Sequence, residues 1–557
     1  MANSLTTVVV PGTVHLVDLN EELHTGHLSS NKEIILIPRP SSDPEDPLNW
    51  SRQRKHIAVG CAYLHIFGIG IASAVQYSIL DNISADTGIT LAELNTGTGL
   101  MFLFLGWSCL FWQPIALVYG RRGVYVLSCF LCIIPMVWSA YSKTKAEWYA
   151  HRILFGLFGS SVESLPEVTV PDLFFAHERG TYMGIYAFLL FGSNFLAPFF
   201  AGFINDGVGW RWVMHFGSIT LAVTGILLFF FMEDTIYFRS TFEGLDDDPR
   251  TSITQHSTVG NGIEVMEKTT SKPQAPVPGK NVSGVLNYSP VSEHTFPPPK
   301  TYIQKLALFV KLDGRLTKKQ LFTMMYRPLL IFYHFPITTW CGFLYGTNLS
   351  WYNVMNGTTS LILGGAPYNF QAKYVGCAYL SPFIGAAVAS VWSGQIADKL
   401  TLRLARKNGG VREPEQRLWS MLLPAIIGPA GLILWGVGAD HGIHFMGLII
   451  GLGMLVFGLI CASSISLSYD VDCFKDLAGE TMIAVIIFRN TLGFGFSYAI
   501  TPWINAQGLT KTFVAVGMIS LVCTSSFLAM IKFGKALRRF STTKYWEYVA
   551  TSAVAGH

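Results

Sequence analysis

Glu163 and Glu167 stand four residues apart in GLFGSSVESLPEVTVPDLFF (156–175), a run otherwise suited to lipid or to a protein interior. Residues spaced by four share one face of a helix. Two carboxylates on one apolar face suit proton exchange or the capture of a cation. An ionised carboxylate deep in a bilayer is costly, so such groups face a cavity or a partner. We therefore expect Glu163, with Glu167, to form a protonation and cation site. The plainer alternative is a structural pair satisfied by Arg152 or by nearby backbone. Pro166 and Pro171 should bend the same stretch and free carbonyl acceptors beside the carboxylates.

The elements that position these residues follow from composition. Of 557 residues, 50% are hydrophobic and only 13% charged, with mean hydropathy +0.39, the profile of a polytopic membrane protein. A helical span takes roughly 20 apolar residues. Twelve stretches qualify, at 56–80, 96–120, 123–142, 148–175, 180–205, 210–232, 327–351, 372–397, 418–438, 444–470, 481–504 and 510–532. The fold class expected is all-α, with twelve transmembrane helices in two six-helix bundles. The boundaries expected are a cytoplasmic segment over 1–55, bundles over 56–235 and 327–533, a linker over 236–326 and a tail over 534–557. The linker carries DDDPR, QAPVPGK and FPPPK, too little apolar surface to fold alone, though KLDGRLTKK before the seventh span suits a surface helix. No charged stretch followed by a short apolar core opens the chain, so the first span is expected to act as its own insertion signal.

Lys and Arg in short loops set the orientation. Arg52, Arg54, Lys55, Arg121, Arg122, Arg179, Lys399, Arg403, Arg406, Lys407, Arg538 and Arg539 fall on one side, and Lys143 and Lys145 on the other. That places both termini and the linker in the cytoplasm. Sequons stand at Asn82, Asn281 and Asn356; Asn82 and Asn356 are expected outside and able to carry glycan. Cys129 and Cys132 form a CxxC without a second pair, which reads as packing, and no metal site is expected.

Several short motifs are specific. After span two comes QPIALVYGRRGVYVLS, and after span eight GQIADKLTLR. Span four begins HRILFG, and span five reads GIYAFLLFGSNFLAPFFAG. The N-terminal DPEDPLNWS (43–51), VTVPDLFFAHERGTYMGIY, SYDVDCFKDLAGE and FRN complete the set, with Asp234, Thr235, Tyr237 and Arg239 closing span six. In these motifs the chain resembles the major facilitator superfamily, and within it a fungal group of twelve-span drug:proton antiporters. Gly120, Arg121 and Arg122 match the family's loop motif, while Gln113 and Leu117 replace its Gly and Asp; in the second half Gly394 and Asp398 match and Thr401 replaces a glycine. Arg152 and Gly156 match the span-four motif. Gly184, Pro198 and Gly202 match the antiporter motif, where small residues let helices approach closely. The resemblance implies a substrate site near the midplane between the halves.

Around that site the expected binding residues are Glu163, Glu167, Arg152, Trp340, Tyr345 and Asn490. Tyr77, Trp107 and Trp112 are further candidates for an aromatic wall, and His65 and His334 read first as packing. The gating residues expected are Asp172, Arg121, Arg122, Asp398, Asp470 and Arg489, with an Arg489–Asp470 ion pair closing the inner side in one state. Phosphate-loop, HExxH and GxSxG patterns are absent from the sequence, which argues against a primary pump or an enzyme. The function expected is proton-coupled export of a small organic molecule, such as a drug or secondary metabolite. The alternative is proton-driven import of polyamines or other organic cations, since the resemblance covers both. No cofactor beyond the proton gradient and no nucleic acid are expected. The partners expected are a small-molecule substrate and the lipid bilayer, the state monomeric, and the location a multi-pass position in the plasma membrane or the vacuolar membrane.

Overall fold

The computed structural model describes residues 11–12, 14–15, 27–28, 31–35, 43–237, 301–309, 318–408 and 411–554. Most of the linker, with Asn281 and Arg239, lies outside the described residues.

The first half comprises α1 (Arg52–Ala74), a short α2 (Leu80–Thr87), the consecutive pair α3 (Leu91–Trp107) and α4 (Cys109–Tyr119), and α5 (Arg121–Ser139). It continues with the pair α6 (Lys145–Gly159) and α7 (Ser161–Leu173), then α8 (Ala176–Val208) and α9 (Trp210–Phe231). Two further helices, α10 (Tyr302–Lys305) and α11 (Lys318–His334), precede the second half. That half contains α12 (Pro336–Gly364), the run α13 (Ala372–Ala378), α14 (Leu380–Val391) and α15 (Ala397–Lys407), then α16 (Pro424–Asp440), α17 (Phe445–Cys473), α18 (Ala478–Ser525) and α19 (Phe527–Val554). Short antiparallel ladders join β1 (Val14–His15) to β4 (Val411–Arg412), and β2 (His27–Leu28) to β3 (Asn31–Ile35).

Among the described residues, ten helical stretches are long and apolar enough to cross a membrane. The last, Lys475–Thr551, breaks at Gly508, where φ is 79° and ψ 170°, a backbone conformation glycine adopts without penalty. It therefore makes two passes. Pro336–Gly364 adds another: its 29 residues rise about 43 Å, more than a hydrocarbon core of about 30 Å. Twelve passes result, in two groups of six.

Local signals explain where helices begin. Thr90 and Glu93 form a reciprocal capping box at the start of α3, and Thr144 and Glu147 do the same at α6, each satisfying backbone N–H groups that a helix start leaves free. Gly120 takes φ 112° between α4 and α5, which lets the chain reverse direct from one helix into the next.

One expectation is corrected. Span seven is not 327–351: the apolar run RPLLIFYHF ends α11, and the chain breaks at Phe335 before Pro336 opens the spanning helix. A proline at the first helical position needs no N–H partner, so the new helix starts there. His334 consequently lies before the span, bonded to Tyr548 Oη at 2.9 Å. Pro166 and Pro171 both lie inside α7, and the helical run of span four is interrupted at Ser160, between α6 and α7.

Candidate functional site

The end of the molecule that carries Arg121, Arg122, Lys399 and Arg403 is called here the basic end, and the opposite one the far end. The halves touch chiefly where α3 meets α18 and where α8 meets α13 and α14. Small residues allow this. A Cβ on Gly106 would lie 2.7 Å from Asn490 Cβ, and one on Gly99 would lie 2.8 Å from Ser497 Cβ. A Cβ on Gly202 would collide with the Ala372 carbonyl, and Pro198 contributes the carbonyl that accepts from Ser78 Oγ at 2.8 Å. Gly184 does not share this role, because a Cβ there meets nothing within 4 Å.

Glu163 sits at the centre of this interface, 6% exposed, in the first turn of α7. Its Oε1 lies 2.6 Å from Arg489 Nη2, and its Oε2 accepts from Asn490 Nδ2 at 2.7 Å. Both partners are on α18, so one carboxylate of the first half is bound twice by the second. Arg489 also lies over the Tyr345 ring, 4.4 Å from its centroid. Such charge-assisted bonds are the strong members of their class.

Glu167, one turn along, is held differently. Its Oε1 accepts from Tyr186 Oη of α8 at 3.1 Å, while its Oε2 finds no hydrogen-bond partner and no cation pairs with it among the described residues. Arg489 Nε, Asn490 Oδ1 and Ser164 Oγ are also buried without a partner. With both carboxyls ionised, Arg489 balances one of them and leaves the cluster one negative charge in surplus. A proton or a cationic group would balance it.

The structure thus brings together Glu163, Glu167, Tyr345 and Asn490, and adds Arg489, which was expected at a gate. The Arg489–Asp470 pair, expected in one state of the cycle, is not formed in this structure. Asp470 instead accepts from Thr338 Oγ1 of α12 at 2.7 Å, inside the second half, because Arg489 points across the interface toward α7. Trp340 is also elsewhere: its Nε1 donates to Ser526 Oγ at 2.9 Å and its ring meets Tyr469 edge-on, all within the second half. Arg152 does not satisfy Glu163; its guanidinium stacks over Trp148 at 4.8 Å. Tyr186 escaped sequence reasoning, since one aromatic among many in span five carries no distinguishing signal. Of the other aromatic candidates, Trp112 donates to the Leu157 carbonyl at 2.8 Å inside the first half, and Trp107 crosses to Thr491 Oγ1 at 3.1 Å. His65 is buried within the first half, bonded to Ser128 Oγ at 2.9 Å.

At the basic end each half has its own charge network. Arg121 pairs with Asp172, its backbone N–H donates to Asp234 Oδ1 at 3.3 Å, and its Nη1 donates to Thr235 Oγ1 at 3.3 Å. The acid missing at Leu117 is thus replaced by carboxylates from the ends of spans four and six. Arg122 donates to the Met232 carbonyl at 2.7 Å and to the Phe229 carbonyl at 2.6 Å, satisfying the C-terminal acceptors of α9. In the second half Asp398 pairs with Arg417 at 2.8 Å, and Asp472 pairs with Arg417 at 3.3 Å and Arg412 at 2.7 Å. Between the halves at this end, Gln113 Nε2 donates to the Gly479 carbonyl at 3.2 Å. At the far end Ser360 donates to Asp81, and Asn95 Nδ2 reaches the Gly357 carbonyl at 3.5 Å.

Asn82 is exposed on α2, whereas Asn356 is 1% exposed in the middle of α12. The expectation of glycan at Asn356 is therefore corrected: the shifted span seven carries its sequon into the helix bundle.

A model of the Major Facilitator Superfamily matches residues 62–472. The chain belongs to the Major Facilitator Superfamily. Its members are transporters rather than enzymes, and fungal transporters are among the relatives of this chain. It is 29% identical over 554 residues to an uncharacterized MFS-type transporter of Schizosaccharomyces pombe, covering 97% of this chain and 94% of that one. It is 27% identical to protein HOL1 of Saccharomyces cerevisiae, covering 96% of each chain. The proton:xylose symporter XylE bound to 6-bromo-6-deoxy-D-glucose shares the fold, with a TM-score of 0.54 at 11% identity, over 86% of this chain and 97% of that one.

Proposed function

We propose that this transporter is a proton-coupled exporter of a small organic molecule bearing a cationic group, working by alternating access with Glu167 as the exchange site and Glu163 as the latch. The observation that carries this reading is the ion pair of Glu163 with Arg489, together with the hydrogen bond it accepts from Asn490, both across the interface. Glu163 is already balanced by Arg489, so the surplus charge resides with Glu167. A proton arriving at Glu167 displaces the cationic group, and the cationic group displaces the proton; the two never need to be bound together. That exclusion is the basis of exchange. Glu163 and Glu167 lie on one short helix, so a change of charge at one is felt at the Arg489 pair beside it. Separation of the halves around this fixed site then exposes it to one side at a time.

In this reading the basic end is cytoplasmic, the protein acts as a monomer in the plasma membrane, and Asn82 is the position open to glycan. The partly unpartnered Glu167 also favours a second reading, import of an organic cation by the same exchange run in reverse.

One experiment separates them. The protein is expressed in fungal cells lacking their own polyamine importers and drug exporters, and confirmed at the cell surface. Rhodamine 6G efflux that stops when the proton gradient is collapsed supports export. Spermidine accumulation that rises from external pH 7.5 to pH 5 supports import. Either activity persisting with an undiminished proton requirement in Glu167→Gln contradicts the exchange site.

A further inference from the structure

Farther along span four, toward the far end, the halves meet at a second polar layer that the protein itself satisfies only in part. Arg152 is 1% exposed and forms no ion pair among the described residues; its Nε and Nη2 find no hydrogen-bond partner. Its Nη1 meets only the Met101 sulfur, at 3.8 Å, and Tyr77, which follows α1, lies close to the guanidinium. The Tyr77 ring meets Tyr352 of α12 edge-on, 6.2 Å between centroids, so the layer spans both halves. The Tyr352 and Tyr379 hydroxyls and the Asn356 amide are buried without a well-formed hydrogen bond: Tyr352 has only looser contacts with Asn356 and Tyr77, and Tyr379 with Thr359. Gln76, beside Tyr77 in the chain and fully buried, has both amide atoms in the same condition. Buried polar groups are ordinarily bonded, and leaving one unbonded is unfavourable, so a gathering of them between two moving bodies calls for a polar occupant.

The two layers differ in sign. The Glu167 layer has surplus negative charge, whereas the Arg152 layer has a guanidinium surrounded by uncharged donors and acceptors. Tyr345 of the first layer and Tyr352 of the second lie two turns apart on α12, about 10 Å of helix rise. We infer that the transport path has two poles and accepts an elongated dipolar molecule, with its cationic group at Glu167 and a carboxylate or comparable acceptor at Arg152, Tyr352 and Asn356. This rests on the cation site proposed at Glu167. A guanidinium at the second pole disfavours a second ammonium, so a diamine of matched length should gain nothing from reaching it. A carboxylate there can be bound by two parallel N–H donors.

The test uses the full-length protein in lipid nanodiscs and three probes of equal chain length: 8-aminooctanoate, octylamine and 1,8-diaminooctane. Calorimetric titration should show the amino acid binding about tenfold tighter than octylamine, and the diamine no tighter than octylamine. Arg152→Gln should bring the ratio of amino acid to amine to within about twofold, Arg152→Lys should restore part of it, and Asn356→Leu should lower it by a smaller factor, since it removes uncharged bonds only. Because buried Arg152 also packs on Trp148, only variants with an unchanged thermal unfolding transition are compared, and Asn356→Leu tests the layer independently. A diamine that binds as well as the amino acid, or a ratio that survives both Arg152→Gln and Asn356→Leu, overturns the second pole. Octylamine binding with no preference among the probes overturns the second pole alone; failure of all three to bind overturns the Glu167 site and the second pole with it.

Discussion

Arg538 and Arg489 hold carboxylates in the same way and to opposite purpose. Arg538 grips Glu415 with Nε at 2.9 Å and Nη2 at 2.7 Å, buried within the second half. Arg489 grips Glu163 at 2.6 Å, equally buried, but its partner belongs to the other half. In the proposed alternating-access cycle the halves move as bodies, so the first bond never has to break and the second would have to in every cycle. The basic-end networks divide by the same rule: Arg121 with Asp172, and Arg417 with Asp398 and Asp472, each stay inside one half. Gln113 and Gly479 join the halves at that end by a neutral bond of 3.2 Å, weaker and easier to release. A location inside or between the bundles, rather than bond strength, decides which charges are structural.

Breaking each kind of bond should therefore give different failures. The largest effect is expected at Arg538→Gln, which strands Glu415 in the interior and should cost about 3–5 kcal/mol of stability. The measurement is the thermal unfolding transition of purified protein, with a marked drop in the amount of folded protein at the membrane. Glu167→Gln should leave that transition in place and cut proton-driven transport by at least about tenfold, equivalent to about 1.4 kcal/mol of coupling. Gly106→Val tests the interface without touching a charge. Its added atoms would press on Asn490, whose Cβ would lie 2.7 Å from the new Cβ, and overpacking of this kind costs about 1–3 kcal/mol. The expected readout is slower transport with the cation affinity of the site retained.

The smallest effect is expected at Asp234, just past the end of α9. Burial pushes this carboxyl up, opposed by the backbone N–H groups of Ile236 and Arg121 that it accepts. A carboxyl raised in the folded state binds its proton more tightly there than in the unfolded chain, so its contribution declines as pH climbs above the ordinary aspartate range. Asp234→Asn should thus flatten the pH dependence of stability and change stability by under about 1 kcal/mol near neutrality, read as unfolding midpoints from about pH 4 to about pH 7.

The sequence made Glu163 and Glu167 conspicuous because charge is so rare inside the spans, and hydropathy located almost every pass for the same reason. It could not show which way a charge faces. Asp470 and Arg489 were expected at similar depth, which suggested a pair; Arg489 instead faces α7 and meets Glu163, on the stretch of α18 that packs closely on Gly106 and Gly99. Span seven was misplaced because apolar residues on α11 and α12 run together, and hydropathy does not register the break that Pro336 makes. The same slip put Asn356 at a membrane surface when it is interior. Tyr186 supports Glu167 through a single hydroxyl, which no spacing rule announces.

The central claim is that the Glu163–Arg489 bond holds the halves together and is released during transport. It can be tested without knowing the substrate. Spin labels are placed at Gln53→Cys and Arg403→Cys, exposed positions at the basic end of the first and second halves, in a background freed of the nine native cysteines. Double electron–electron resonance then reports the distance between the halves with and without Glu163→Gln. The account predicts a longer and broader distribution in Glu163→Gln, reproduced by Arg489→Gln, with folding intact in both. Distributions identical to the parent in both variants would contradict it.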